Sequence, residues 1–356
     1  MAYPIEPPVE PMLAKLADTV PIGGGYLFEP KWDGFRALVF RGGEGEVYIQ
    51  SRDEKPLDRY FPELHALFAE RLPDGCILDG EIVMPTDRGL DFDKLQMRLH
   101  PAASRVKKLA VESPASFVAF DLLALEGKSL VAQPQAERRA HLEVLLGEVQ
   151  PPLHLTPLTD DPEVAQTWLE RYEGAGLDGV IAKLKGATYQ PGKRAMLKIK
   201  HARTAECVVA GLRLHKSGDD ALGSLLLGLY DDEGTLHHVG VTSSFTMARR
   251  KALLVELAPL REGALATHPW KGWAKESESQ RMPGGKSRWS GDKDLSWIPL
   301  RIERVAEVKY DHLQGARFRH ATTFLRWRDD KQPKDCRYDQ LEVVTPYELA
   351  KIFGAS

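Results

Sequence analysis

EPKWDGFR, residues 29–36, joins two apolar runs, YLFEP at 26–30 and RALVF at 36–40, and GGEGE separates the second run from VYIQ at 47–50. The runs are rich in β-branched and aromatic residues and the separators in glycine, so the region reads as strand, turn, strand, turn, strand. Lys31 therefore stands at a strand end, with Asp33, Gly34 and Arg36 following around one turn. An amine, a carboxylate and a cation in that order are what attack on a phosphate by lysine requires. Protonated lysine is a poor nucleophile, but nearby cations or a metal depress its pKa, and a covalent phosphoramidate splits one difficult displacement into two easier ones. The bland alternative is an exposed turn of mixed charge.

Outward from this turn, Phe61, Leu64, Leu67 and Phe68 share one helical face, followed by the buried-strand pattern CILDGEIVM with Glu81 on it. SFVAFDLLAL reads as a strand, and QPQAERRAHLEVLLGEV and DPEVAQTWLERYEGAG as helices, the second with Asp160 and Asp161 as cap candidates. GVIAKL and AMLKIK close a first domain at residues 1–203. AECVVAGLRL, GSLLLGLY, TLHHVGVTSS, RIERVAEVKY and ATTFLRWR, with a helix near Met247–Leu257, suit a small barrel in residues 204–356, which also carry a C-terminal extension. The class is α+β. Between barrel strands, residues 270–298 are polar and Gly- and Lys-rich yet hold four tryptophans. That is either a loop whose indoles pack back or a nucleic-acid clamp.

Composition narrows the classes. The 356 residues carry 48 Lys and Arg against 51 Asp and Glu, a formal net charge of −3, so any basic surface must come from local clustering. One such cluster exists: Lys183 to Arg203 hold seven Lys or Arg and no acid. Three dispersed cysteines give neither a disulfide framework nor a CxxC zinc pattern, which fits a reducing compartment. No stretch approaches the roughly 18–20 apolar residues of a membrane helix, so the expectation is a soluble, cytoplasmic, nucleoid-associated protein.

With these residues in view, the chain resembles the covalent nucleotidyltransferase superfamily of DNA ligases, RNA ligases and mRNA capping enzymes, nearest the small bacterial ATP-dependent ligases of the ligase C and ligase D type. Its motifs occur in order as KWDGFR, SRDEKPL at 51–57, LDGEIV at 78–83, FVAFDLL at 117–123, LDGVIAK at 177–183, MLKIK at 196–200 and RWRDDK at 326–331. Each is short, but seven in order cover nearly the whole chain. The resemblance implies a nucleotidyltransferase (adenylation) domain of antiparallel sheets with flanking helices, followed by an OB-fold domain.

It also implies roles. Lys31 is adenylylated by ATP, Glu29 binds the adenine amino group, and Phe120 stacks on the base, although a Phe in an apolar strand is ordinarily core. Arg36 and Arg52 hold ribose and phosphates. Glu81 and Asp178 could bind Mg²⁺, or Mn²⁺, through oxygen; the family more often has glutamate where Asp178 stands, a departure that puts direct coordination in doubt. Lys183 joins the nucleotide site, and Lys198 and Lys200 point to one strand face and withdraw charge from the α-phosphate. Arg328 and Lys331 orient the leaving phosphates when the barrel swings over the site.

The function so implied is sealing of nicks in duplex DNA through lysyl-AMP and DNA-adenylate, in DNA repair, by a monomer that meets repair-protein partners. Only about 25 residues precede Tyr26, so no separate helical DNA-binding domain is expected ahead of the core. The rivals are an RNA ligase, an mRNA capping guanylyltransferase, and a non-catalytic nucleic-acid-binding protein.

Overall fold

The computed structural model describes residues 3–87, 89–200, 203–272, 296–311, 313–341 and 347–353. Two units are formed: Met1–His201 together with Val344–Ser356, and Ala202–Val343.

In the first unit two sheets share a core. One has the strand order Leu13–Ala17, Arg194–Ile199, Val180–Leu184, Tyr26–Pro30; the other has Leu153–Leu155, Ser116–Leu125, Cys76–Val83, Phe35–Arg41, Val47–Ser51. Pairing is antiparallel except at one edge of each sheet, where Leu13–Ala17 and Leu153–Leu155 run parallel to their neighbours. Alternation assigns the faces. Leu38 and Phe40 meet Ile77, Leu123 and Met196 between the sheets, while Ala37 and Val39 join Phe61, Leu64 and Phe68 on the outer side. Because both faces are covered, the strand reads as an unbroken apolar run.

Helix Pro62–Arg71 starts with proline and has Glu63 in its first turn and Arg71 in its last, each suited to the helix dipole. It buries Leu64, Leu67 and Phe68; truncating Phe68 to alanine would cost about 3–5 kcal/mol. Helix Pro162–Arg171 is capped by Asp161, whose carboxylate accepts from the Glu163 N–H, whereas Asp160 pairs with Lys185. Its Ala165 packs with Phe28, Val180 and Ile199 on the outer face of the first sheet. The chain passes from one sheet to the other between Pro30 and Phe35, so Lys31–Gly34 form the crossing.

The last helix, Leu349–Ile352, corrects the expectation that the C-terminal extension belongs with the barrel. Leu349 and Ile352 are buried with Trp32, Val83 and Val118 in the first unit, because this short apolar segment finds its cover there.

In the second unit five antiparallel strands follow the order Leu236–Thr242, Gly218–Tyr230, Arg203–His215, Val305–Tyr310, Thr323–Trp327. A bridge between Thr242 and Thr322 links the two ends of this order, closing a small OB-type barrel. Trp270 is fully buried and donates from Nε1 to the Leu236 carbonyl, and Trp297 packs on it. Residues 273–295 lie outside the described residues, and with them most of the loop read either as packing back on the barrel or as a nucleic-acid clamp. Among the described residues, no helix is long and apolar enough to cross a membrane.

Candidate active site

Lys31 is fixed by backbone pairing that outlasts its strand. Its N–H donates to the Gly179 carbonyl at 2.8 Å, and its carbonyl accepts from the Asp178 N–H at 2.8 Å. That pairing delivers the Asp178 side chain: Oδ2 lies 2.6 Å from Lys31 Nζ and 2.9 Å from Lys200 Nζ. Two glycines let the backbones close in. A Cβ on Gly34 would strike the Ile82 carbonyl, and one on Gly179, which has φ +123, would strike the Ile199 carbonyl. The Asp-Gly pairs in KWDG and LDGV therefore have a steric cause.

A cavity of about 270 Å³ opens beside this crossing, near the lower end of small-molecule sites. Lys31, Asp33, Glu29, Arg36 and Arg52 line it, with Glu81, Phe120, Lys183 and Lys198 contributed by other strands. Asp178 and Lys200 are not in the lining and meet it through Lys31.

At one end Glu29 is buried, with Oε2 2.9 Å from Lys183 Nζ. Among the described residues its Oε1 has no hydrogen-bond partner, and it faces Arg139 Nη1, likewise without one, at 4.0 Å. Burial pushes the Glu29 pKa up, against the pull of Lys183 and Arg139. Lys183 also donates to the Phe120 carbonyl at 2.9 Å and lies 4.9 Å from the Phe120 ring centre, with the Arg36 guanidinium at 5.4 Å. Phe120 is only half-buried, between fully buried neighbours in its strand. It is thus a wall of the cavity and not simply core. An orphaned buried acceptor beside an available ring fits a base with an exocyclic amino group, as in ATP.

At the other end charges are held in fixed positions. Arg36 forms a fork with Asp79, at 3.0 and 2.6 Å, and donates to the Met12 carbonyl at 2.6 Å. Tyr189 donates to the same carboxylate at 2.8 Å. Burial alone would weaken the Arg36 charge, and Asp79 more than offsets it, so its pKa lies above the usual value. Burial and the repulsion of Lys200 and Lys31 lower the Lys198 pKa. For Asp178, burial is outweighed by Lys31 and Lys200, which hold its pKa down. Burial pushes Glu81 up to about 8, although Lys31 and Arg36 pull the other way. A buried carboxyl of this kind has an oxygen to offer a cation, whereas Asp178 Oδ2 is already engaged by two ammonium groups. Among the described residues no group of three His, Cys, Asp or Glu side chains gathers as a metal site.

Arg328 and Lys331 belong to the second unit. Arg328 pairs with Glu206 and with Asp330 at 2.8 Å, and Lys331 with Glu206 at 3.1 Å. Sequence reasoning missed Asp79, Arg139 and Arg194. Arg194 also lines the cavity; extending the alternation of Lys198 back through Met196 would have found it. Asp79 and Arg139 act from behind the lining; Asp79 stands within the LDGEIV motif, where Glu81 drew the reading, and no motif marks Arg139.

Fold and site together suit an enzyme that acts with a nucleotide, and comparison with known proteins agrees. The ATP dependent DNA ligase domain matches residues 11–200, and the ATP dependent DNA ligase C terminal region matches residues 218–331. The chain is 55% identical over 346 residues to DNA ligase C2 of Mycolicibacterium smegmatis, covering 96% of each chain. It is 54% identical over 358 residues to DNA ligase C of Mycobacterium tuberculosis, covering 99% of each. A solved Lig E DNA ligase shares the fold with TM-score 0.55 at 18% identity, over 89% of this chain and 98% of that one. The chain belongs to the ATP-dependent DNA ligase family. It is an enzyme of that family, and ATP is its nucleotide.

Proposed function

We propose that this ligase works through Lys31, in three displacements. The Lys31 amine attacks the α-phosphorus of ATP; a P–N bond forms, the bond to the β-phosphate oxygen breaks, and pyrophosphate leaves. A 5′-phosphate at a DNA nick then displaces the lysine and takes the AMP. Finally the adjacent 3′-hydroxyl attacks that 5′-phosphate and AMP departs. Each displacement is helped mainly by positioning and fixed positive charge.

The observation that carries this reading is that Lys31 and Lys200 share the Asp178 carboxylate while Lys31 and Lys198 line one cavity. Lys198, Lys200 and Arg36 would draw charge from the α-phosphate, and Arg52 at the rim would take the 5′-phosphate. Glu29 would accept from the adenine amino group, Lys183 would keep Glu29 in place, and Phe120 would carry the base. Asp33 would orient the Lys31 turn. A divalent metal, Mg²⁺ or Mn²⁺, would neutralise phosphate charge when bound. Glu81 would hold it, joined by Asp178 once Lys31 carries AMP and has lost its own charge. Arg328 and Lys331 would orient pyrophosphate after exchanging Glu206 for phosphate oxygens.

We assign residues 1–203 to catalysis on the nucleotide and the barrel to closure and grip. Nicked duplex DNA is the substrate, bound through phosphates without sequence preference. A cytoplasmic, nucleoid-associated monomer serving DNA repair with protein partners fits the set. Among the relatives, a M. tuberculosis protein named for multifunctional non-homologous end joining DNA repair, LigD, is 33% identical over 242 residues, 66% of this chain and 29% of that protein. The test is sealing of nicked DNA and nicked RNA with ATP and with GTP. Sealing of DNA with ATP is expected; preference for RNA or GTP contradicts the reading and revives the RNA ligase or capping enzyme.

A further inference from the structure

The nucleophile's neighbour is held by the far end of the chain. Trp32 is 3% exposed and its Nε1 donates to Thr156 Oγ1 at 2.9 Å. The Phe353 ring lies parallel to its indole, with centres 5.1 Å apart and planes 8° apart. The same ring stacks on His154 at 4.0 Å and 22°. Tyr347 meets Tyr172 at 5.3 Å, and Leu349 and Ile352 fill the space beneath with Leu177 and Ala175.

The crossing from Lys31 to Gly34 is pinned on both flanks. Lys31 is tied by two backbone bonds to Asp178 and Gly179, and Gly34 lies against the Ile82 carbonyl. Between these pins, Trp32 is held by one hydrogen bond, the stacked Phe353 ring and apolar packing with Val83, Val118, Leu177, Leu349 and Ile352. Because two backbone bonds pin Lys31, loosening the adjoining indole would act through small changes in the aim of Nζ. In reactions that depend on alignment, a displacement of about 1 Å can cost on the order of 100-fold in rate.

We propose that Phe353 is a positioning residue for the lysine chemistry, acting through Trp32 on Lys31. The C-terminal segment, though it follows the barrel in the chain, is then a working part of the nucleotide-binding unit. This rests on Lys31 being the nucleophile.

Three rates in the full chain test it: lysyl-AMP formation at saturating ATP, its KM for ATP, and sealing of a nick that already carries DNA-adenylate. The last needs no attack by Lys31. Phe353→Ala is expected to slow lysyl-AMP formation about tenfold, leave KM within about twofold, and spare sealing of the adenylylated nick; Phe353→Trp restores the rate. A purely structural role would slow both reactions together, and that result overturns the proposal, as does an unchanged lysyl-AMP rate. If Phe353→Ala does not fold, Phe353→Leu, which keeps apolar volume but not the flat ring, is read by the same rates. Lys31→Ala separates the two assignments. If it still forms the adduct, the nucleophile is misassigned; if it is dead and Phe353→Ala is not slowed, only the positioning role fails.

Discussion

Lys31 Nζ sits 2.6 Å from Asp178 Oδ2, the shortest described tie between this amine and its surroundings. Asp178 holds the amine in place, and a lysine must shed its proton before attack. Asp178→Asn keeps the shape but removes the charge that draws in both Lys31 and Lys200. It is expected to lower lysyl-AMP formation on the order of 100-fold, while Asp178→Glu retains most of the rate. Single-turnover assays with labelled ATP check this, and equal activity of the two variants would remove Asp178 from the site.

Asp79 is fully buried and takes both arms of Arg36. Removing one partner of a buried pair leaves the other uncompensated, at about 3–5 kcal/mol. Asp79→Asn should therefore lower stability in urea denaturation by an amount of that order and weaken ATP binding. Tyr189→Phe removes one hydrogen bond to the same carboxylate and should cost about 1–3 kcal/mol, because the Met12 N–H loses its acceptor as well. A larger loss from Tyr189→Phe than from Asp79→Asn would contradict the assignment.

His154, beneath Phe353, has its pKa lowered by burial to about 4 from the ordinary 6.5. The folded protein holds it neutral, while the unfolded chain takes up a proton below about 6.5. Its contribution to stability is therefore complete above that pH and is lost as pH falls from about 6.5 towards 4. His154→Phe should flatten this part of the profile, read as a smaller fall in Tm between pH 7 and pH 5. An identical fall in the variant would show that His154 takes no part.

Glu29 Oε1 is buried and unsatisfied, so a ligand amino group gains there what the protein leaves open. Glu29→Gln should raise the KM for ATP about tenfold, since a bond to a charged acceptor is worth about 1.5–3 kcal/mol, and should narrow the preference for ATP over inosine triphosphate. Unchanged discrimination between the two nucleotides would place the base elsewhere.

Much of this was legible in the sequence, for reasons that differ by residue. Lys31, Asp33, Gly34 and Arg36 lie within one turn, and the close backbone approach at Gly34 leaves a local trace. Alternation placed Lys198 and Lys200 on one face; Lys198 lines the cavity, whereas Lys200, just past the strand end, meets it through Asp178 and Lys31. What escaped depends on partners far along the chain. Asp79 and Arg36 are joined only by pairing of their strands, Arg139 reaches Glu29 from a helix, and Phe353 reaches Trp32 across 321 positions of numbering. Helix Ala103–Glu112 went unread, although its buried Val106 and Leu109 stand at helical spacing. Assigning the last residues to the barrel followed chain order, and an apolar segment follows available cover instead.

The account stands on a covalent bond between Lys31 and AMP. Protein incubated with ATP and a divalent metal, then digested and weighed by mass spectrometry, should carry the added mass of one AMP on the peptide containing Lys31, and Lys31→Ala should carry none. An adduct mapped to any other residue, or one that survives in Lys31→Ala, would contradict it.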